Sequence, residues 1–253
     1  FIRQSVNAFH GSNGVVHSIG LEYTGPSHFM NFWLEEVHAC DNHQLVALTA
    51  TKDVQDAVLK DKKHASMVDV IDIRQWHYRA DGTLYEPQGG ISLAPRQHAR
   101  LIDPGTVSCA SVYRAVREYR RKYPDKAVVY NGSTARVPHN AMNWAVFMAG
   151  GSFAKVPPVD ELPVYEKASA FSPIDIQTDM DTQWVMGAVG KGYLGYCVKD
   201  EIHLDLTEDG GMYKVFWIDP DKGTVLKKDG RVRGGGKVTL MAPVEGAVCF
   251  LQR

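Results

Sequence analysis

The chain has 253 residues, a formal net charge of -1 at pH 7, 44% hydrophobic and 23% charged residues, the balance of a globular protein of one large or two ordinary domains. No Lys/Arg block marks a groove-tracking surface, so no nucleic-acid partner is expected. No apolar run approaches the roughly 20 residues that span a bilayer, so no membrane span is expected either.

The opening stretch FIRQSVNAFHG is neither a Met start nor a signal peptide and reads as the last turns of a helix, which leads us to expect a preceding segment. VVHSIGLEY reads as a strand that stops at Glu22, just before a Tyr-Thr-Gly-Pro turn. HFMNFWLEEVHAC follows with Phe29, Phe32, Trp33 and Val37 at helical spacing. QLVALTAT (Gln44 to Thr51) is a short apolar strand, and DVQDAVLKD is a helix that Asp53 is placed to cap. MVDVIDIRQWHY (Met67 to Tyr78) is a third strand. The stretch RADGTLYEPQGGISLAPRQHARLIDPG then carries the Gly and Pro punctuation of a long loop. SCASVYRAVREYRRKYP places Val112, Val116, Tyr119 and Tyr123 on one helical side and four arginines largely elsewhere. AVVYNGS (Ala127 to Ser133) is a fourth strand, HNAMNWAVFMAGGS a helix ending in glycines, and FAKVP a short fifth strand.

Apolar strands separated by helices predict a mainly parallel sheet covered on both faces. After the connector PPVDELP the pattern changes to short strands with Gly and Asp turns, which predicts an antiparallel β-sandwich over 163–253. The first region, 1–157, is too short to close an eight-stranded α/β barrel, which needs about 250 residues. It is either an open doubly wound sheet or the later part of a barrel.

The order of motifs resembles the retaining (β/α)8 glycoside hydrolases. IGLEYTG resembles the Asn-Glu signature at the end of their fourth strand, whose Glu is the general acid/base. VDVIDIRQWHYR and the Arg-rich helix are similar to their sixth strand and helix, AVVYNGS to the seventh strand, and HNAMNWAVFMAGGS to the last helix. The tail, with VFWIDPDKGTV, GGGKVTLMAP and GAVCFLQR, resembles the small sandwich that ends bacterial barrel hydrolases of the apiosidase-like group, a domain labelled collagen-binding in family descriptions. The resemblance implies the C-terminal portion of a (β/α)8 TIM barrel, a carbohydrate substrate, a secreted or periplasmic protein, and first barrel strands supplied by a missing N-terminal segment or a second chain. Two positions depart from the family pattern. Leu21 stands where the family has Asn, and Asn131 stands where the nucleophilic Glu would end the seventh strand. A neutral amide cannot form a glycosyl ester.

Glycosidic cleavage needs an acid for the leaving oxygen and a second carboxylate about 5 to 10 Å away. Glu22 is the candidate acid because it ends a strand on the face where barrels place their chemistry, and a carboxyl half-buried beside Tyr23 would have a raised pKa. Its plainer reading is a helix cap or an arginine partner. Asp53 is a candidate second carboxylate or simply an N-cap, and Asp72 lies inside its strand, where a structural role is the plainer reading. Trp76, His77 and Tyr78 end the third strand; an aromatic there could stack on a sugar, and His77 could shuttle a proton. Their alternative is packing beneath the long loop. In that loop Arg96 could grip a uronic-acid carboxylate or pin the loop, and Asn131 could hold a hydroxyl. His10, His17, His28, His38 and His64 form no ligand spacing, so neither metal nor cofactor is expected. Cys197 and Cys249 could pair, although free buried thiols are the simpler reading. The competing function is a glycan-binding barrel that has lost catalysis.

Overall fold

The chain divides into two units, Phe1–Arg136 and Val137–Arg253. The computed structural model describes residues 1–12, 14–20, 23, 25–86, 107–132 and 139–253. In the first unit, helix α1 (Ile2–Ala8) leads into strand β1 (Val16–Ile19). Helix α2 (Ser27–Cys40) crosses to β2 (Leu45–Leu48), and α3 (Lys52–Lys60) with the short α4 (Lys62–Ala65) crosses to β3 (Val70–Ile73). A hairpin of β4 (His77–Tyr78) and β5 (Leu84–Tyr85) comes next. Helix α5 (Cys109–Lys122) then returns the chain to β6 (Ala127–Tyr130).

The four long strands form one sheet in the order β1-β2-β3-β6, and each neighbouring pair is parallel. Strands placed in chain order by right-handed crossovers put every helix on the same face. That face carries Ile19, Val46, Leu48, Ile71, Ile73 and Val128, none more than 4% exposed. Helix α2 buries Met30, Leu34 and Val37, while Phe29 and Phe32 stay exposed. Helix α5 buries Val112, Val116 and Tyr119, as its periodicity predicts, and Ser108 caps it by accepting from the Ser111 amide at 3.1 Å.

The expectation of a sheet covered on both faces is met in part among the described residues: on the face opposite these helices Val16 and Leu45 are 41% and 45% exposed, while Ala47, Val70, Asp72 and Val129 are buried. The third strand is also shorter than its apolar run. It ends at Ile73, and His77–Tyr78 turns into an antiparallel pair with Leu84–Tyr85 inside what reads as loop.

The second unit begins with helix α6 (His139–Met148) and the short helix α7 (Val164–Ala168). The sequence assigned 137–157 to the first domain; in the fold it belongs with the second unit. Trp144 is fully buried there, 6.5 Å from Tyr196, and donates to the Pro220 carbonyl at 2.9 Å. The expected strand at 153–157 is absent: the stretch has no regular structure, Phe153 has φ +57°, and Pro157 and Pro158 withhold the amides a ladder needs.

Eight strands follow: β7 (Ser172–Pro173), β8 (Gln183–Ala188), β9 (Gly192–Cys197), β10 (Glu201–Asp205), β11 (Met212–Ile218), β12 (Val225–Arg233), β13 (Lys237–Met241) and β14 (Val248–Gln252). They make a six-stranded antiparallel sheet, β12-β11-β14-β9-β8-β7, and a two-stranded sheet, β10-β13. Val185, Tyr193, Cys197, Trp217 and Leu251 of the first share one core with Ile202 and Leu204 of the second. Strand β12, LKKDGRVR, escapes sequence reading because it is nearly all polar, as a charged sheet edge is. Cys197 and Cys249 are buried and free, and burial pushes the Cys197 thiol up to about 11.

Candidate functional site

The carboxyl ends of the four parallel strands gather one polar row. Alternation along each strand sends side chains to opposite faces, so Ala47, Val70 and Val129 form a small cluster on the face away from the helices. Towards the strand ends that same face carries Ser18, Thr49, Asp72, Arg74 and Asn131. Asp72 is its centre and is only 6% exposed. Thr49 Oγ1 donates to Asp72 Oδ2 at 3.1 Å, Asn131 Nδ2 donates to Oδ1 at 2.8 Å, and Arg74 Nε lies 3.6 Å from Oδ2. The Ser18 hydroxyl extends the row, 3.5 Å from that of Thr49. A carboxylate only accepts, so the Asn131 amide nitrogen must face Asp72, which turns its carbonyl oxygen outward from an exposed side chain.

The row rests on a buried layer. Gln55, fully buried on α3, donates to the Leu48 and Asp72 carbonyls at 3.0 and 2.9 Å, tying together the ends of β2 and β3. Its own oxygen accepts from Trp76 Nε1 at 2.8 Å. Gly20 closes β1 with φ +81°, and any Cβ there would strike the Thr49 carbonyl oxygen and the Met30 methyl. Only glycine fits that approach.

Glu22 and Arg96 lie outside the described residues. Tyr23 stacks on Phe29 at 4.5 Å and donates to the Pro26 carbonyl at 3.4 Å, so it fastens the turn after β1. Trp76 does not line an open cleft. It is 1% exposed, edge-on to Tyr119, and its indole nitrogen is spent on Gln55. His77 packs on the Tyr85 ring at 4.9 Å within the hairpin. Tyr78 donates to Glu118 Oε2 at 2.6 Å, and burial together with that carboxylate pushes its pKa up to about 12. Asp53 is not the cap of α3; the helix begins at Lys52, and Asp53 in its first turn accepts from the Val54 amide at 2.7 Å and from the Thr51 hydroxyl. The capping partner is Glu86, which accepts from the Lys52 amide at 2.7 Å. Burial, then the nearby Asp53 charge, raises the Glu86 pKa.

Lys52 continues this clamp behind the row. It is 8% exposed, donates to Asp56 at 2.7 Å and Glu118 at 2.9 Å, and lies 5.3 Å above both the Trp76 and Tyr119 rings. Of the expected residues that are described, then, the structure brings only Asn131 into the polar row. The groups around it that sequence reading passed over are Ser18, Thr49 and Arg74, with Asp72 placed as structural. Their signal is parity. In the observed register Ser18, Thr49, Asp72 and Asn131 fall on the same face, but the register exists only once strands pair.

The family described as Domain of unknown function (DUF6298) matches residues 1–171. The chain belongs to this family. No curated protein matches it. The DUF6298 match covers the whole polar row and continues through α6 and α7 to Phe171, so the family region takes in the first unit and the helices at the start of the second. The antiparallel strands β7 to β14 lie beyond the match. Among the described residues no helix of this DUF6298 chain is long and apolar enough to cross a membrane.

Proposed function

We propose that the Phe1–Arg136 unit is an arc of a (β/α)8 barrel and that the protein is glycoside hydrolase-like, binding a carbohydrate at the strand ends and cleaving its glycosidic bond with Glu22 as general acid. One observation carries this reading: a row of hydrogen-bonding side chains centred on Asp72 lies on the face, away from the helices, of a parallel sheet whose strands are neighbours in chain order. A doubly wound sheet reverses its strand order and layers helices on both faces. A barrel arc keeps chain order and places its helices outside, with chemistry at the carboxyl ends. In this scheme further parallel strands, from the same polypeptide or a second chain, complete the ring, and the protein acts outside the cytoplasm. Asn131 accepts from a sugar hydroxyl, and Asp72 holds it in that orientation.

A second reading has its own support. Asn131 stands where a second carboxylate is needed, and its amide is committed to Asp72. A barrel of this kind binds glycan without turnover.

Release of reducing sugar from a panel of plant and mucin glycans separates the two. Glu22→Gln is expected to slow release by about 100-fold or more, the usual cost of removing a general acid. Full activity in that variant removes the acid assignment, and saturable binding by the wild-type protein with no release favours the binding reading.

A further inference from the structure

The second unit contains a groove of about 520 Å³ between the segment Ile176–Gln183 and the outer face of β10 and β13, within the size range of small-molecule sites, about 300–1,000 Å³. Its wall is fixed in place by two glutamines. Gln177 donates to the Asp205 carbonyl at 3.0 Å and accepts from the Asp205 amide at 3.2 Å. Gln183 donates to the His203 carbonyl at 2.8 Å and accepts from the His203 amide at 2.7 Å. Each amide group therefore mimics a neighbouring strand along the free edge of β10. Thr178 adds a bond to the Ile174 carbonyl and accepts from the Val185 amide. A wall built this way is formed before any ligand arrives.

The groove carries both donors and acceptors. Across the β10-β13 pair, His203 stands opposite Thr239 with Nδ1 3.0 Å from its hydroxyl, and Asp205 stands opposite Lys237. Asp179 faces them from the wall, and Ile176, 93% exposed, adds apolar surface beside Leu204 and Val238. Hydrogen bonds from the Thr207 hydroxyl and amide, with a smaller part from the Lys237 charge, hold the Asp205 carboxyl below the usual range, and among the described residues the Lys237 side chain makes no hydrogen bond or ion pair. Two carboxylates against one ammonium repel an anion, and the mixed donors and acceptors suit hydroxyl groups, which both give and take hydrogen bonds.

We propose that this groove is a second binding site, separate from the parallel strand ends, for a neutral hydroxyl-rich ligand, namely a short saccharide chain. The choice of saccharide rests on the carbohydrate reading above; the groove itself does not. The test is titration of the 253-residue chain with cellohexaose and xylohexaose, followed by calorimetry and amide chemical shifts, with hexagalacturonate and spermidine as anionic and cationic probes. A neutral hexasaccharide is expected to saturate the groove. Lys237→Ala and Asp205→Asn should each weaken it by about tenfold, the loss of one charge-assisted hydrogen bond, at unchanged melting temperature, while Glu22→Gln and Asn131→Ala leave it intact. Binding that survives both groove variants but is lost in Asn131→Ala overturns this site and leaves the strand-end reading standing. Binding of spermidine or hexagalacturonate alone, or of no probe, also overturns it, and glycan hydrolysis then remains the separate measure of the strand-end reading.

Discussion

Asp72 and Asp209 are both nearly buried carboxylates, 6% and 4% exposed, and their surroundings give them different work. Asp72 spends its oxygens on one exposed amide, a hydroxyl and a guanidinium at a strand end. Asp209 instead closes a loop of the second unit. Its oxygens accept from the amides of Gly190 at 2.8 Å and Gly211 at 3.2 Å, and from the hydroxyls of Tyr193 at 2.9 Å and of Tyr213. Burial alone would raise its pKa, but these four donors together outweigh burial and lower it. A carboxylate with a depressed folded pKa adds stability that is present above its unfolded pKa, near 3.9, and is lost as pH falls through the folded value. Asp209→Ala strands two tyrosine hydroxyls and should cost about 3 kcal/mol by urea denaturation at pH 7. In acid the gap between wild type and variant should narrow; a gap constant from pH 7 down to pH 2 would rule out the ionised pin.

At the scale of elements, α3 and α5 are joined by charge as well as by apolar packing. Glu118 receives Lys122 at 2.6 Å, Tyr78 at 2.6 Å and Lys52 at 2.9 Å. Burial opposes its ionisation, but these donors prevail and bring its pKa down to about 2. Removing Lys52 takes the ammonium from between Asp56 and Glu118, leaving Glu118 with Lys122 and Asp56 with only the Tyr119 hydroxyl. Lys52→Ala should therefore destabilise the first unit by about 2–3 kcal/mol, below the usual cost of breaking a fully buried pair because both carboxylates keep some water. Chemical denaturation checks this, and a change under about 0.5 kcal/mol would mean the network is only a surface feature. The free edge of β10 offers a second case. With Gln177 and Gln183 both changed to Ala, the His203 and Asp205 backbone groups lose their partners and become a template for another strand. Concentration-dependent dimers or thioflavin-positive aggregates are expected by light scattering and dye binding. A double variant that stays monomeric at high concentration would show that the glutamines are dispensable as edge covers.

At the scale of the molecule, the first unit has a sheet with one face under helices and, among the described residues, a second face that is only partly covered. In the described residues β1 pairs only with β2 and β6 only with β3, so the sheet ends in two unpaired edges. Val16 and Leu45 stand exposed on that second face beside the β1 edge. If the sheet is an arc, the 253-residue chain on its own should self-associate through that edge, seen as a concentration-dependent sedimentation coefficient. Val16→Lys should suppress this, because a charged edge resists strand addition. A monomer at every concentration, with β1 amides exchanging slowly, would argue that the edge is covered in another way and that no ring is being completed.

How much of this was legible follows from which forces act locally. Period and punctuation in the sequence determined the alternation of strands and helices in the first unit, the buried stripe Val112–Val116–Tyr119 of α5, and the change to antiparallel strands in the second, because apolar spacing fixes which side of an element seeks cover. Asn131 is singled out by the resemblance to the barrel hydrolases, as the residue standing where their nucleophilic Glu would be. Tertiary structure alone decided that Trp76 is buried against Gln55 and Tyr119, that Glu86 reaches Lys52 across 34 positions, and that Thr49, Asp72 and Asn131 share one hydrogen-bonded row. The physical reason is strand register. Side-chain direction along one strand can be counted from its sequence, but which residue stands beside which is set by pairing between segments far apart in the chain.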